Sequence, residues 1–458
     1  MRYIFIFILF SVVSFAQKKS NLSQEVWVDS VYNQLSFDEK VGQLFMVAAY
    51  SNKDEAHNKS IDKLVEENKI GGLIFFQGGP VRQAKLTNRY QAKSKVPMFI
   101  GIDAEWGLSM RLDSTYRYPW NMTLGAVQDM KLIEKAGNQM AKQSKRMGIH
   151  FNFAPVVDIN TNPKNPIIGN RSFGETKENV TLRALALMKG LQDEGVFATA
   201  KHFPGHGDTS TDSHHTLPVV KFDKNRLDDV ELYPYKELIK NGLTSVMVAH
   251  LNVPSIEPRE NYPTSISYNV VTNILKNELQ FEGLIFTDAL NMKGASNFKK
   301  PGDIDLEAFL AGNDVLLFAE NVPVAIKKFN EAKKDGRLTE ERLAYSVKKI
   351  LAYKYKANLH NYQPIALENL YNDLNAVEFE ALNYQLYENA VTVIKNDTKS
   401  IPVAQLDKEK IAYVKLGNDS SDVFLTQLKN YANVTEITSK NLDSVLVELQ
   451  DYTKVIIG

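Results

Sequence analysis

Cysteine is absent from all 458 residues, which excludes disulfides, thiolate metal sites, cysteine nucleophiles and a lipid-bearing N-terminal cysteine. Net charge is absent as well, because 54 basic side chains balance 54 acidic ones. With no long run of Lys and Arg, the chain lacks the counterion-release attraction that drives binding to nucleic acid or anionic membranes. After the first sixteen residues no apolar run approaches the roughly 20 residues needed to span a bilayer. No Gly-x-Gly-x-x-Gly or Walker loop follows the first strand-like run, and no nucleotide, flavin or metal motif is visible. Chemistry is left to His, carboxylates, Ser, Lys and Arg, and no cofactor is expected.

What is present describes a globular protein, 44% hydrophobic and 24% charged. Single cores rarely grow beyond roughly 250 to 300 residues, so the length implies two domains. Residues 1–16 stand apart: Arg2 is followed by an apolar run from Tyr3 to Val13 and by Ser14-Phe15-Ala16. That is the pattern of a signal peptide cleaved after Ala16. A buried helix or an uncleaved anchor is the alternative. The mature protein is expected to be soluble and periplasmic or secreted.

Eight short β-branched, apolar runs recur between Val41 and Ala319, each followed by turn residues and a segment of helical character. They are Val41–Ala49, Gly72–Phe76, Met98–Asp103, Ile149–Val157, Phe197–His202, Ser245–His250, Leu284–Asp288 and Val315–Ala319. Continuous rather than alternating apolar character suits strands buried on both faces. Eight β/α units predict a (β/α)8 TIM barrel over residues 17–360. Asp103, Asp158, His202, His250 and Asp288 fall at or just past strand C-termini, where barrel enzymes carry their catalytic groups. A doubly wound open sheet would also put sites there. The pattern loosens over 361–377, read as a linker. A new αβ rhythm occupies 378–458, with strands expected at Ala390–Ile394, Ile411–Leu416, Val434–Ile437 and Val455–Ile457. This second α/β domain is expected to be incomplete and the chain to be the front of a longer polypeptide.

Four of the eight histidines, His202, His206, His214 and His215, fall in KHFPGHGDTSTDSHHTLP, Lys201 to Pro218. Its Gly, Pro, Ser and Thr content disfavours regular structure after Phe203, so a long loop should leave the fifth strand at the catalytic face. Asp212 and His214 lie two apart. A carboxylate so placed can orient an imidazole and raise its pKa, as a general acid or base near neutral pH requires. Asp212 could equally cap the loop, and His206 or His215 could carry the proton. Asp288 follows the buried run Leu284 to Thr287 and is placed to attack an electrophile or balance a developing cation; it could also cap the next helix.

These stretches resemble glycoside hydrolase family 3, and in particular its bacterial β-N-acetylglucosaminidase (β-hexosaminidase) branch. The likeness rests on GIDAEWG from Gly101, FNFAPVVDIN from Phe151, NRSFG from Asn170, KHFPGHGDTSTDSH from Lys201, MVAH from Met247 and TDALNM from Thr287. GIDAEWG departs from the family's common pattern, having Ala-Glu-Trp-Gly where Gln-Glu-Gly-Gly is usual. The resemblance implies a retaining glycosidase acting on terminal β-linked N-acetylglucosamine, with Asp288 as nucleophile and His214, held by Asp212 on a mobile loop, as acid/base. It implies that Asp103, Arg111, Arg171, Lys201, His202 and His250 bind the sugar. Some members of the branch resemble phosphorylases, and a His acid/base tolerates phosphate's charge. A metal-dependent barrel hydrolase built on the His cluster and a catalytically silent binding module are the readings outside the class. For an exported enzyme the expected substrate is a cell-wall fragment.

Overall fold

The computed structural model describes residues 23–213, 215–417, 421–439 and 441–458. The expected signal peptide and His214 therefore lie outside the described residues. The chain divides into two compact units, one running to Val391 and the other from Thr392 to Gly458.

The first unit is a parallel barrel of β1 (Phe45–Tyr50), β2 (Gly72–Phe76), β3 (Phe99–Ile102), β4 (Phe151–Asn152), β5 (Phe197–Phe203), β6 (Ser245–Val248), β7 (Leu284–Thr287) and β8 (Leu316–Leu317). The hydrogen-bonded order is β7-β6-β5-β4-β3-β2-β1-β8. A bridge between Phe286 and Val315, with Thr287 N–H donating to Val315 O at 3.1 Å, joins β7 to β8. The ring is thus closed as a (β/α)8 barrel, which rules out the open doubly wound sheet.

Where strands are shorter than the apolar runs suggested, local chemistry explains it. Val41 and Gly42 end a helix, Phe37–Gly42, because Ser36 and Glu39 form a reciprocal capping box ahead of them. β4 stops after Asn152, where the Ala154 N–H turns back to Asn152 O at 2.8 Å instead of reaching a neighbouring strand. The barrel interior is filled by aromatic rings: Phe151 stands 4.9 Å from Phe99 and from Phe197 and 5.0 Å from Phe286. Gly101 makes room for this layer, since a Cβ there would lie 2.8 Å from the Phe153 ring.

The expected boundary at 377/378 is displaced. Residues 361–377, read as a linker, are laid on the barrel. Arg146 donates to Ala366 O, Glu368 O and Asp373 Oδ2, each at 2.7 Å, and Asn88 exchanges hydrogen bonds with the backbone of Ile365. The next helix, Val377–Ala390, buries Leu382 and Leu386 in the core shared with the barrel helices. No strand forms over Ala390–Ile394. The helix claims Ala390, and Val391 and Ile394 are 77% and 95% exposed, with no neighbouring strand to pair them.

The second unit is a parallel three-stranded sheet in the order β10-β9-β11: β9 (Ile411–Val414), β10 (Val434–Ile437) and β11 (Lys454–Ile457). Its faces alternate. Ile411 and Tyr413 pack with Leu425 on one side, while Ala412 and Val414 pack with Val445 and Leu449 on the other.

Candidate active site

Strand ends deliver the site. Asp103 follows β3, and Arg111 follows it after a short 3₁₀ turn (Leu108–Met110). Arg171 closes a second such turn, Gly169–Arg171, in the loop after β4. β5 carries a bulge, in which Ala200 to Phe203 faces only Val246 to Val248 of β6. The extra residue breaks the alternation of faces, so the consecutive Lys201 and His202 both line the same cavity. Asp288 follows β7, anchored by its N–H to Val248 O at 2.8 Å, and its Oδ1 accepts from Ala289 N–H at 2.8 Å. Asp103, Arg111, Arg171, Lys201, His202 and Asp288 all line one cavity of about 390 Å³ at the C-terminal mouth of the barrel. In a ring of eight, β3 and β7 are opposite each other, so Asp103 and Asp288 stand on facing rims.

An ionic network organises the β3 to β5 side. Arg111 Nη2 donates to Asp103 Oδ2 at 2.6 Å, and Lys201 Nζ bridges Asp103 Oδ1 at 2.8 Å and Glu105 Oε1 at 2.9 Å. Arg171 grips Glu105 through Nε at 3.0 Å and Nη2 at 2.8 Å, the planar two-point geometry that suits guanidinium to carboxylate. Burial alone would raise the Glu105 carboxyl, but Arg171 and Lys201 outweigh it and hold it down to about 2. The same contest leaves Asp103 well below the usual carboxylate range, with Lys201 and Arg111 as the winning cations. The Arg111 guanidinium also lies 4.4 Å over the Phe76 ring, which with Phe318 makes an apolar wall.

Asp158 is the second organiser. It is buried, its Oδ2 lies 2.7 Å from His202 Nδ1, and its Oδ1 accepts the His206 N–H at 2.7 Å. Arg171 Nη2, which can only donate, stands 3.3 Å from His202 Nε2. That makes Nε2 the acceptor and puts the ring hydrogen on Nδ1, facing Asp158. Burial, opposed by Asp158, pushes the His206 imidazole down. His206 and Ser213 also line the cavity.

Two expected residues, His250 and Asp212, stand outside the cavity lining. His250, expected to touch the sugar, is fully buried and outside the cavity lining. Its Nδ1 meets Ser265 Oγ at 2.7 Å and its Nε2 meets Ala289 O at 3.0 Å, so it supports the peptide next to Asp288. Asp212 sits in a turn whose carbonyl accepts from His215 N–H and Thr216 N–H, and it does not line the cavity. His215 is 3.9 Å from the Asp212 carboxylate and points to solvent. His214 lies outside the described residues. Glu105 was not singled out from sequence, although it stands inside the matched GIDAEWG stretch. Its partners, Arg171 and Lys201, are 66 and 96 residues away, beyond any local pattern.

The arrangement sets a carboxylate across from a rim of alternating donors and acceptors, suited to a neutral, polyhydroxylated molecule. A β-hexosaminidase A from Pseudoalteromonas piscicida is 33% identical over 373 residues, which are 74% of this chain and 61% of that protein. The chain thus spans under two thirds of that relative's length. Among solved structures, a family 3 β-N-acetylglucosaminidase from Paenibacillus sp. FPU-7 superposes with a TM-score of 0.75 at 32% identity, over 92% of this chain and 84% of that one. The β-glucoside phosphorylase BglX bound to 2FGlc superposes with a TM-score of 0.82 at 25% identity, over 95% and 82%. The glycosyl hydrolase family 3 N-terminal domain matches residues 36–353, the stretch that forms the barrel and carries every cavity-lining residue named above; the chain belongs to glycosyl hydrolase family 3.

Proposed function

We propose that the protein is an exported, retaining β-N-acetylhexosaminidase that removes terminal β-linked N-acetylglucosamine from cell-wall fragments. The observation that carries the reading is the Asp288 carboxylate in one cavity with the Asp103, Arg111, Arg171, Lys201 and His202 rim. Asp288 attacks the anomeric carbon while the bond to the leaving oxygen breaks, and the acid/base group, His214 paired with Asp212, gives that oxygen a proton. The same group then takes a proton from water, which attacks the anomeric carbon and releases Asp288 with the β configuration restored. The rim groups bind ring hydroxyls and the acetamido group. Export rests on Arg2, the apolar run to Val13 and the small residues before Gln17.

Phosphorolysis is the competing outcome, raised by the likeness to BglX. The charges of the cavity count against it. Among the described residues, Arg111, Arg171 and Lys201 stand beside Asp103, Glu105 and Asp158, with Asp288 on the facing rim, and each of the three cations is already bonded to a carboxylate. A phosphate dianion would enter a site with no excess of positive charge.

The test is a chromogenic N-acetyl-β-glucosaminide, with the first-formed anomer read by NMR. Release of β-N-acetylglucosamine unaffected by EDTA is expected. An α-anomer formed first refutes double displacement, and chelator-abolished activity restored by zinc moves the protein to the metal hydrolases. Sugar 1-phosphate as the main product at millimolar phosphate establishes the phosphorylase. Asp288→Asn should lose nearly all turnover; retention of more than about a tenth, a barrier change under ~1.4 kcal/mol, gives the nucleophile's role to another group.

A further inference from the structure

Trp106 is the part of GIDAEWG that the proposed chemistry leaves unused, and it stands where the family usually carries Gly. Its ring pairs with that of Trp120, with centroids 4.2 Å apart and planes inclined at 53°. The exposed Arg117 guanidinium lies 4.9 Å from the centre of the Trp120 ring. Both tryptophans are partly exposed, and neither lines the catalytic cavity. Two large apolar rings left partly in water at one spot forgo burial that would stabilise the fold by about 25 cal/mol per Å², so packing alone does not account for the pair.

The pair is fixed to the wall of the cavity at both ends. Trp106 follows Glu105, which Arg171 and Lys201 hold in the cavity lining, and its carbonyl accepts from Tyr118 N–H at 3.1 Å. Trp120 precedes Asn121, whose Nδ2 donates to Arg171 O at 2.7 Å. The rings thus belong to residues adjoining two groups that build the β3–β4 rim, outside the space that takes the terminal sugar. Because a terminal sugar fills the cavity, any further ring of the substrate lies on the leaving-group side. A β-linked pyranose with equatorial substituents presents axial C–H groups on its faces, and these pack on the electronegative face of an aromatic ring.

We propose that Trp106 and Trp120 form an aromatic platform for the sugar on the leaving-group side of the scissile bond, so that the enzyme selects an oligosaccharide over a simple alkyl glycoside. This rests on the glycosidase reading given above. Arg117, stacked on Trp120, restrains that ring, while the polar substituents of the second sugar stay in water around the platform.

The experiment compares kcat/KM of wild type, Trp106→Ala and Trp120→Ala on N,N′-diacetylchitobiose and on methyl N-acetyl-β-glucosaminide. Both leaving oxygens are alkoxides that need a proton, and only the disaccharide has a second ring. The expected result is a loss of about tenfold on the disaccharide, the scale of one stacked ring, and of less than about twofold on the methyl glycoside. Trp106→Phe, which keeps an aromatic face, should recover most of the disaccharide rate. Binding is read separately in Asp288→Asn by tryptophan emission, since two of the three tryptophans belong to the pair and the third, Trp27, packs against Tyr355 and His360. The disaccharide should shift that emission and N-acetylglucosamine should not. Thermal unfolding shows whether each alanine variant folds, and the emission titration decides where one does not. Equal losses on both substrates, no loss on the disaccharide, or the same emission change with both sugars overturns the platform. Failure of the wild type to release N-acetylglucosamine from either substrate overturns the glycosidase reading instead.

Discussion

Glu105 lines the cavity and should be among its most consequential residues. It has no exposed surface and neutralises two buried cations, Arg171 and Lys201. Burial works against its ionised form and the two cations overcome it, bringing the carboxyl from 4.5 down to about 2. A carboxyl depressed in the folded state adds stability that is fully present above its unfolded value and is lost as pH falls through the folded one. At 1.36 kcal/mol per pH unit the stabilisation is about 3 kcal/mol above pH 5, and it fades between pH 4.5 and about 2. Glu105→Gln keeps the shape and removes the charge, leaving both cations under-compensated, which for a buried pair costs about 3–5 kcal/mol. With an unfolding entropy of about 2.1 cal/mol/K per residue over the roughly 370 residues of the described barrel unit, ~3 kcal/mol corresponds to a fall in Tm of about 4 °C at pH 7. Calorimetry at pH 7, 5 and 4 should show this gap constant at the higher values and narrower at the lowest. Activity should fall too, because Arg171 and Lys201 lose their common anchor; about a tenfold to hundredfold loss in kcat/KM is expected for a displacement approaching 1 Å. A Glu105→Gln protein with unchanged Tm and unchanged kcat/KM would refute the reasoning, because it would mean that the cations need no buried counter-charge.

Three further outcomes follow from the same structure. Asp158→Asn puts an amide N–H or a weaker oxygen against His202 Nδ1 and removes the group that fixes the ring hydrogen there; kcat/KM should drop at least about tenfold, equivalent to ~1.4 kcal/mol, and 15N NMR of the ring should show the tautomer shift. Lys354 is fully buried against Gln43 Oε1 at 2.7 Å, and burial brings its ammonium down from 10.5 to about 7. Its charged form therefore costs the folded state most below pH 7, and the cost is relieved as pH rises from 7 towards 10.5. Lys354→Met should then stabilise by about 1–2 kcal/mol at pH 6, after the cost of leaving Gln43 unpaired, with the gain vanishing near pH 10 in denaturant titrations. Gly101→Ala should destabilise by about 1–3 kcal/mol in the same assay, because its methyl meets the Phe153 ring at 2.8 Å inside an already filled barrel.

The barrel was legible in the sequence because a parallel strand buried on both faces leaves a mark that needs no neighbour to be seen: a short, continuous, β-branched run followed by turn residues. The same rule placed Asp103 and Asp288, since the residue ending such a run must emerge at the mouth of the barrel. It misplaced the β1 start at Val41, where Ser36 and Glu39 cap a helix. It also misread Ala390–Ile394, where apolar residues that look like a strand either finish a helix or stay exposed.

By itself, then, the sequence determined the chemistry available and the order of the elements that carry it: no thiol, eight strand–helix units, a His-rich loop after the fifth strand and a carboxylate after the seventh. Only the tertiary structure decided how those groups pair. The bulge in β5 turns Lys201 and His202 to one side, Glu105 joins two cations from distant segments, and His250 supports the peptide of Ala289 rather than facing the cavity. It also showed that residues 361–377 are strapped to the barrel by Arg146 and Asn88 instead of linking two bodies. The physical reason is one of range. Periodicity and turn chemistry act over a few residues and can be read along the chain, whereas hydrogen bonds and ion pairs depend on distances that exist only once the barrel has closed.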